Sequence, residues 1–195
     1  MEVFNAIESL PWNPSRLYWP LPPRRLNGIN EIIIHQAASQ GTMAAINSYH
    51  TSEQSHISPG RGCPHICYTF VIDRDGRSYQ VNNIEDVTWH CKSRNQEAIG
   101  LLVCGDFNAS GHDYIGKDGD PTPDVLEELA CLVEYIKDIL PNEIKISCHS
   151  DYGKPNCPGN SLEAWVKEHN KKKSAFDKMK AAFKHIARRW IWGGW

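Results

Sequence analysis

Two histidines and one cysteine carry the strongest chemical signal in this chain. His35 closes the run Ile32-Ile33-Ile34-His35, and His149 directly follows the segment Glu143 to Cys148. Cys157 comes eight positions later, in a loop that reads His149-Ser150-Asp151-Tyr152-Gly153-Lys154-Pro155-Asn156-Cys157-Pro158-Gly159. Imidazole and thiolate are ligands that zinc favours, and a catalytic zinc takes three protein ligands and keeps a fourth position for water. Ligands at strand ends are held by the sheet, and a short Gly/Pro loop can fold a cysteine back toward them. Spacing alone does not single out the trio, because the chain has nine histidines. A second grouping, Cys63 and Cys67 around His65, lacks two further ligands nearby.

The elements that must position these residues alternate along the chain. Glu31 to His35 is a β-branched run after Asn27-Gly28 and reads as a buried strand. Thr42 to Tyr49 has helical spacing, with Met43 and Ile46 on one side, and residues 51–64 read as a loop. Ile66 to Asp73 is a predicted strand, Asp75-Gly76 a hairpin turn and Ser78 to Val81 its return. Ile99 to Phe107 is another apolar strand, followed by a Gly/Asp loop from Gly111 to Pro121. Thr122 and Pro123 open a helix as N-cap and first residue. Val125, Leu129, Leu132, Val133 and Ile136 recur along it at helical spacing. Glu143 to Cys148 is the last strand, and Asn160 with Glu163 has the form of a capping box before a helix holding Leu162, Trp165 and Val166. This order predicts an α/β (α+β) fold, a central mixed β-sheet flanked by helices. It divides into an irregular arm over 1–28, a domain over 29–168 and a C-terminal helix over 169–195.

Four blocks, in order, resemble the zinc-dependent N-acetylmuramoyl-L-alanine amidases, the group that includes phage-lysozyme-type amidases and animal peptidoglycan recognition proteins. They are Ile32 to His35; Cys67-Tyr68-Thr69-Phe70 through Asp75-Gly76; Trp89-His90, Asn95 and Ala98-Ile99-Gly100; and His149 through Cys157-Pro158-Gly159. The resemblance spans about residues 29–167. It implies that His35, His149 and Cys157 bind Zn2+, and that Tyr68 is an active-site tyrosine bonding to the attacking water or to the oxyanion. It further implies that His90 lines the substrate groove and that Asn95 organises the same loop on the substrate side. The implied reaction is hydrolysis of the lactyl amide between N-acetylmuramic acid and L-alanine in bacterial peptidoglycan. Many relatives carry Lys or Thr two residues before the cysteine; here that position is Pro155, and Lys154 stands one step earlier as the candidate catalytic lysine. The strand Leu101-Leu102-Val103-Cys104 has no acid, so no glutamate base is assigned.

Composition sets the remaining bounds. Apolar residues make up 41% of the 195, enough for a core, and no run approaches the roughly 20 residues of a membrane span. The first ten residues carry Glu2 and Glu8 and do not read as a secretory signal, so synthesis in a cytoplasm and action on the wall after release are expected. Seven cysteines, an odd number, argue for free thiols, with Cys104 and Cys131 in apolar segments and expected to be buried. From Lys167 onward nine basic residues face two acids, a net +7; the rest of the chain holds the other 12 basic and 21 acidic residues, a net −9. Phe176, Met179, Phe183, Ile186 and Trp190 form one stripe of that basic segment, and Trp192 and Trp195 follow. The stripe predicts a cationic amphipathic helix drawn to anionic membrane or envelope polymers; nucleic acid is not expected as a partner of so acidic a body. Two other readings are a non-catalytic peptidoglycan receptor on the same fold, which would be expected to lack a zinc ligand, and a cytoplasmic muropeptide-recycling amidase.

Overall fold

The computed structural model describes residues 2–16, 21–108 and 120–172. Six strands form one sheet: β1 (Val3–Asn5), β2 (Glu31–Gln36), β3 (Phe70–Ile72), β4 (Ser78–Gln80), β5 (Ala98–Val103) and β6 (Lys145–Cys148). Their spatial order is β1-β4-β3-β5-β2-β6. Only the β3–β4 hairpin is antiparallel; the other pairings run parallel. The helices are α1 (Met43–Thr51), α2 (Pro123–Ile139) and α3 (residues 160–172).

β2 is central, and all six of its residues are buried. A strand covered on both faces reads as a continuous apolar run, which is why Ile32-Ile33-Ile34 carries no alternation. Its side chains still divide by parity. Ile32 and Ile34 join Ile99, Leu101, Val103, Phe70 and Ile72 in the larger core with Leu129, Leu132, Val133 and Ile136 of α2. Ile33 and His35 point to the opposite face, where Leu102 and Val71 lie in a smaller core.

α2 begins as its sequence requires: the Thr122 side chain accepts a hydrogen bond from the Val125 N–H, and Pro123 occupies the first turn, where no N–H is needed. Its stripe of Val125, Leu129, Leu132, Val133 and Ile136 leaves residue 131 on the outer face. Cys131 is therefore exposed, correcting the expectation of a buried thiol there, whereas Cys104 is fully buried. α1 is capped in the same way, with the Thr42 hydroxyl accepting from Ala45 N–H.

Several boundaries differ from the sequence pattern; β5 ends at Val103, short of the expected Phe107, and β6 begins at Lys145 instead of Glu143. The arm is not wholly irregular, since Val3–Asn5 pairs in parallel with Ser78–Gln80 and forms one sheet edge. β3 is shorter than the run Ile66 to Asp73, because ladder pairing to β5 begins only at Phe70. α3 starts a residue early: the Glu163 N–H bonds the Gly159 carbonyl at 2.9 Å, so Asn160 is already helical and Gly159 precedes it. α3 runs on to residue 172, and the amphipathic helix expected over 169–195 lies, from residue 173, outside the described residues.

Candidate metal centre and cleft

The sheet register brings the two histidines together. Ile34 pairs with Cys148, so the next residues, His35 on β2 and His149 just after β6, emerge side by side. Their ring centroids are 4.4 Å apart. His149 opens a 3-10 turn, His149–Tyr152, which ends at Gly153 with a left-handed φ of 82°. The chain then doubles back, and Cys157 Sγ lies 3.7 Å from His35 Nδ1. One ligand atom from each of His35, His149 and Cys157 can be chosen so that all lie within 4.8 Å of one another. Among the described residues this is the only such cluster of His, Cys, Asp or Glu. Two imidazoles and a thiol converging at this distance fit a tetrahedral zinc with one position left open.

The cysteine loop is held from β2 itself. Gln36, next to His35 and 5% exposed, accepts from the Phe107 N–H and donates to the Asn156 carbonyl, each at 2.6 Å. One amide thus ties the residue before Cys157 to the segment after β5. Gly159 permits the approach, since a Cβ there would stand 2.7 Å from Gln36 Oε1 and 2.6 Å from the Phe107 backbone. Gln36 was not singled out from sequence, because a lone glutamine beside an apolar run carries no spacing signal.

The hydrogen bonds around His35 select its tautomer. His90 Nε2 lies 3.2 Å from the Ala98 carbonyl, which can only accept, so this nitrogen carries the proton. Burial lowers the pKa of His90 to about 3, so the ring is neutral and its Nδ1 is a bare acceptor. That acceptor lies 3.1 Å from His35 Nε2, which must therefore be the donor. His35 is neutral too, its pKa driven well down by burial and then by electrostatic coupling to the neighbouring His90 and His149 rings, with which it would compete for a proton. Its Nδ1, facing Cys157, is left with a free lone pair. This is the arrangement by which a histidine's second nitrogen orients its metal-binding one. Gly100 makes room for it: a Cβ there would meet His90 Cγ at 2.6 Å.

The neighbouring titratable groups are set mainly by burial. It pushes the Cys157 thiol up to about 11, with the nearby Lys154 charge pulling the other way. Burial, then the Lys154 charge, lowers His149 to about 4. Tyr68, whose ring centroid is 5.0 Å from that of His35, is held well above the usual phenol range by burial. It stays protonated at neutral pH and is a hydrogen-bond donor. His50 packs beside it at 5.7 Å between centroids and accepts the Cys67 N–H on Nδ1 at 3.2 Å.

These residues line a cleft of about 840 Å³. His35, His149, Cys157, Tyr68, His90 and Lys154 all border it, and Tyr49, His56 and Trp89 contribute further aromatic wall. His90 commits both ring nitrogens to protein partners, and Asn95 is not among the lining residues. The Asn95 side chain instead accepts from the Cys91 N–H at 2.7 Å and closes the loop that carries His90. Two supports escaped sequence reasoning. Arg24, buried in the arm, donates to the carbonyls of Ile84, Asn95 and Ala98. Glu31, 1% exposed, takes Arg94 at 3.0 Å, Lys145 at 3.2 Å and the Tyr152 hydroxyl at 2.7 Å, tying the His149 turn to the sheet.

Comparison with known proteins identifies the family. The profile of the N-acetylmuramoyl-L-alanine amidase family matches residues 25–160. The chain belongs to that family. A curated relative, the endolysin of Enterobacteria phage K11, is 25% identical over 142 residues, covering 71% of this chain and 85% of that one. Among solved structures, the N-acetylmuramoyl-L-alanine amidase LysC from Clostridium intestinale URNW superposes with a TM-score of 0.62 at 21% identity, covering 87% of this chain and 98% of that one. The ectodomain complex of peptidoglycan recognition proteins LCa and LCx bound to tracheal cytotoxin gives a TM-score of 0.67 at 21% identity, covering 86% of this chain and 95% of that one. The chain is thus an amidase of the N-acetylmuramoyl-L-alanine class, on the fold these structures share.

Proposed function

We propose that this amidase is a zinc-dependent, endolysin-type enzyme that hydrolyses the bond between the lactyl group of N-acetylmuramic acid and L-alanine in peptidoglycan. The observation that carries the reading is the convergence of His35, His149 and Cys157 at the floor of an open cleft, with His35 Nδ1 freed by the His90 bond. Zinc, when bound by these three, would supply a Lewis acid for the carbonyl and a water nucleophile usable near neutral pH. The chain's own residues then divide the remaining work. The protonated Tyr68 hydroxyl donates to the oxyanion that develops on the lactyl oxygen. Lys154, exposed on the cleft beside His149, is the proposed proton source for the departing L-alanine amine. His90 and Asn95 act through others, His90 by fixing His35 and Asn95 by closing the His90 loop.

The basic segment from Lys167 onward is proposed to draw the enzyme to anionic membrane or envelope polymers, on the support of its net +7 charge and its Trp-rich end. Unchanged binding to anionic vesicles after deletion of residues 173–195 would remove that part of the reading. The catalytic part is tested with zinc content and turbidity loss of purified walls, measured on the same preparations. Wild type is expected to carry about one zinc per chain and to clear walls. Cys157→Ala should lose both, and Cys157→Ser should retain little of either, because a neutral hydroxyl is a weaker zinc ligand than thiolate. Normal clearing by a zinc-free Cys157→Ala protein would end the proposal.

A further inference from the structure

One wall of the cleft is a loop whose neck is closed from outside the loop itself. Residues 52–62, between α1 and the lead-in to β3, contain no helix or strand. His56 and Ile57 of this loop border the cleft. The tip is fixed to α1 through the Tyr49 hydroxyl, which accepts the His56 N–H at 3.2 Å and lies 3.1 Å from His56 Nδ1.

The neck is closed by Asn13, in the N-terminal arm and 5% exposed. Its Oδ1 accepts the Ser15 N–H at 3.0 Å, which sets the direction of the amide and turns Nδ2 toward the loop. Nδ2 faces three carbonyls: Thr51 at 2.9 Å just before the loop, Arg61 at 2.9 Å near its end and Cys63 at 3.2 Å just past it. The Asn13 N–H donates to the Pro64 carbonyl at 2.9 Å. One residue of the arm therefore joins both ends of the loop. Gly62 leaves room for it, with a left-handed φ of 69° and a Cβ position that would lie 2.8 Å from Asn13 Nδ2. Arg16 adds an outer tie, donating to the Ser58 hydroxyl at 3.1 Å. The arm is itself held to α1 by Asn47, which donates to the Pro11 carbonyl at 2.9 Å.

The groups at the reacting end of the cleft have separate supports. Asn82 donates to the carbonyls of Ile66 at 2.8 Å and Tyr68 at 2.6 Å, and His90 bonds His35 at 3.1 Å. Loss of the Asn13 bonds would therefore loosen the wall and leave those groups in place. A loop freed at its neck samples more conformations, and ordering it again falls on substrate binding, not on the chemical step. Asn13 precedes residues 25–160, the segment that matches the family, so the match assigns it no role.

Resting on the amidase reading, we propose that Asn13 is a positioning residue for the substrate cleft: by joining the two ends of the 52–62 loop, it holds the His56–Ile57 wall in the shape that binds the muramyl peptide. The arm is then a working part of the cleft, although it contributes no group to the reaction.

The test uses the full-length, zinc-loaded protein, with kcat and KM measured separately on a soluble muramyl tetrapeptide, and brief trypsin treatment read by mass spectrometry. Asn13→Ala is expected to raise KM by about threefold to tenfold, with kcat within about twofold of wild type. It should also open the Arg61–Gly62 bond to trypsin, since Arg61 is exposed and its carbonyl loses the Asn13 bond, whereas wild type should stay uncut there. Asn13→Asp keeps the shape and the Ser15 contact but supplies at most one of the two donor hydrogens, so KM should move in the same direction. Ser58→Ala removes only the Arg16 tie and should give a smaller KM rise, a second reading should Asn13→Ala not fold. Asn142→Ala removes a comparable pair of amide bonds, to the Asn27 and Ile29 carbonyls away from the cleft, and should keep the wild-type KM. An unchanged KM in both Asn13 variants, a loss confined to kcat, an Arg61–Gly62 bond as resistant as in wild type, or an equal KM rise in Asn142→Ala overturns the proposal. Failure of wild type to cut the peptide would instead overturn the amidase reading, and the Asn13 role with it.

Discussion

Replacing Gln36 by Leu tests the claim that β2 sets the metal centre twice, through His35 and through the cysteine loop. Leucine keeps most of the volume but removes the acceptor for the buried Phe107 N–H and the donor to the part-buried Asn156 carbonyl, both at 2.6 Å. A buried polar group left without its partner costs about 1–3 kcal/mol. That cost falls on the buried Phe107 N–H, and the Asn156 bond holds the residue before Cys157, so the combined loss weakens the loop conformation that presents the thiol. If it is felt mainly there, zinc affinity should fall by about fivefold to 150-fold, the range that 1–3 kcal/mol spans at 1.36 kcal/mol per decade. Outer-shell partners of metal ligands typically matter by about 10-fold to 100-fold, which agrees. The assay is competition with a chromophoric chelator at neutral pH, alongside the thiolate charge-transfer band of the cobalt-substituted protein. A folded Leu variant with zinc affinity within about twofold of wild type, and an unchanged cobalt band, would refute the reasoning, given the range expected from a lost buried bond. Gln36→Glu adds a diagnostic. Protonated, its carboxyl can still donate to Asn156, whereas ionised it faces that carbonyl with a negative charge, so its deficit relative to wild type should widen as pH rises.

Three further predictions concern the same centre. Burial holds the metal-free Cys157 thiol up at about 11 and His149 down at about 4, so between about pH 5 and 6.5 one proton leaves for each zinc bound, and a second, from bound water, joins above about pH 7; log affinity should rise about one unit per pH unit below that point and more steeply above it, and a flat profile by calorimetry in buffers of different ionisation heat would exclude thiolate ligation. Gly100→Ala would force its Cβ to within 2.6 Å of His90 Cγ, so it should destabilise the fold by about 1–3 kcal/mol and lower zinc affinity, seen by denaturant melts and by chelator competition. Glu31→Gln should lower stability at pH 7 by about 1–2 kcal/mol. Burial opposes ionisation of Glu31, but its hydrogen bonds and the Lys145 charge outweigh this and depress its pKa, so the wild-type advantage should be full above about pH 4.5 and fade as pH falls through the lowered folded value; a deficit that persists undiminished in acid would contradict the assignment.

What the sequence reveals about this protein depends on range. Strands β2, β5 and β6 and helix α2 were legible because burial writes itself into local runs and helical spacing, and Thr122-Pro123 marks a helix start by chemistry confined to three residues. The convergence of His35, His149 and Cys157 was legible because a zinc site would demand such side chains, and strand ends are where a sheet can aim them. β1 was not, since three residues in a Pro- and Trp-rich arm have no room to show a period, and their pairing with β4 is a long-range fact. The same holds for Gln36, Arg24 and Glu31, whose partners lie 60 or more positions away: Gln36 with Phe107 and Asn156, Arg24 with Ile84 and Ala98, Glu31 with Arg94 and Tyr152. His90 shows an intermediate case. Its block suggested the cleft, but only the Ala98 carbonyl behind it reveals that both nitrogens serve His35 and the strand.

The bond that is cut decides the account most directly. Purified peptidoglycan digested by the zinc-loaded protein should yield, by mass spectrometry, glycan chains with free lactyl carboxyls and stem peptides beginning at an unblocked L-alanine amine. Fragments cleaved within the glycan or between stem residues, with the lactyl–alanine link intact, would contradict it.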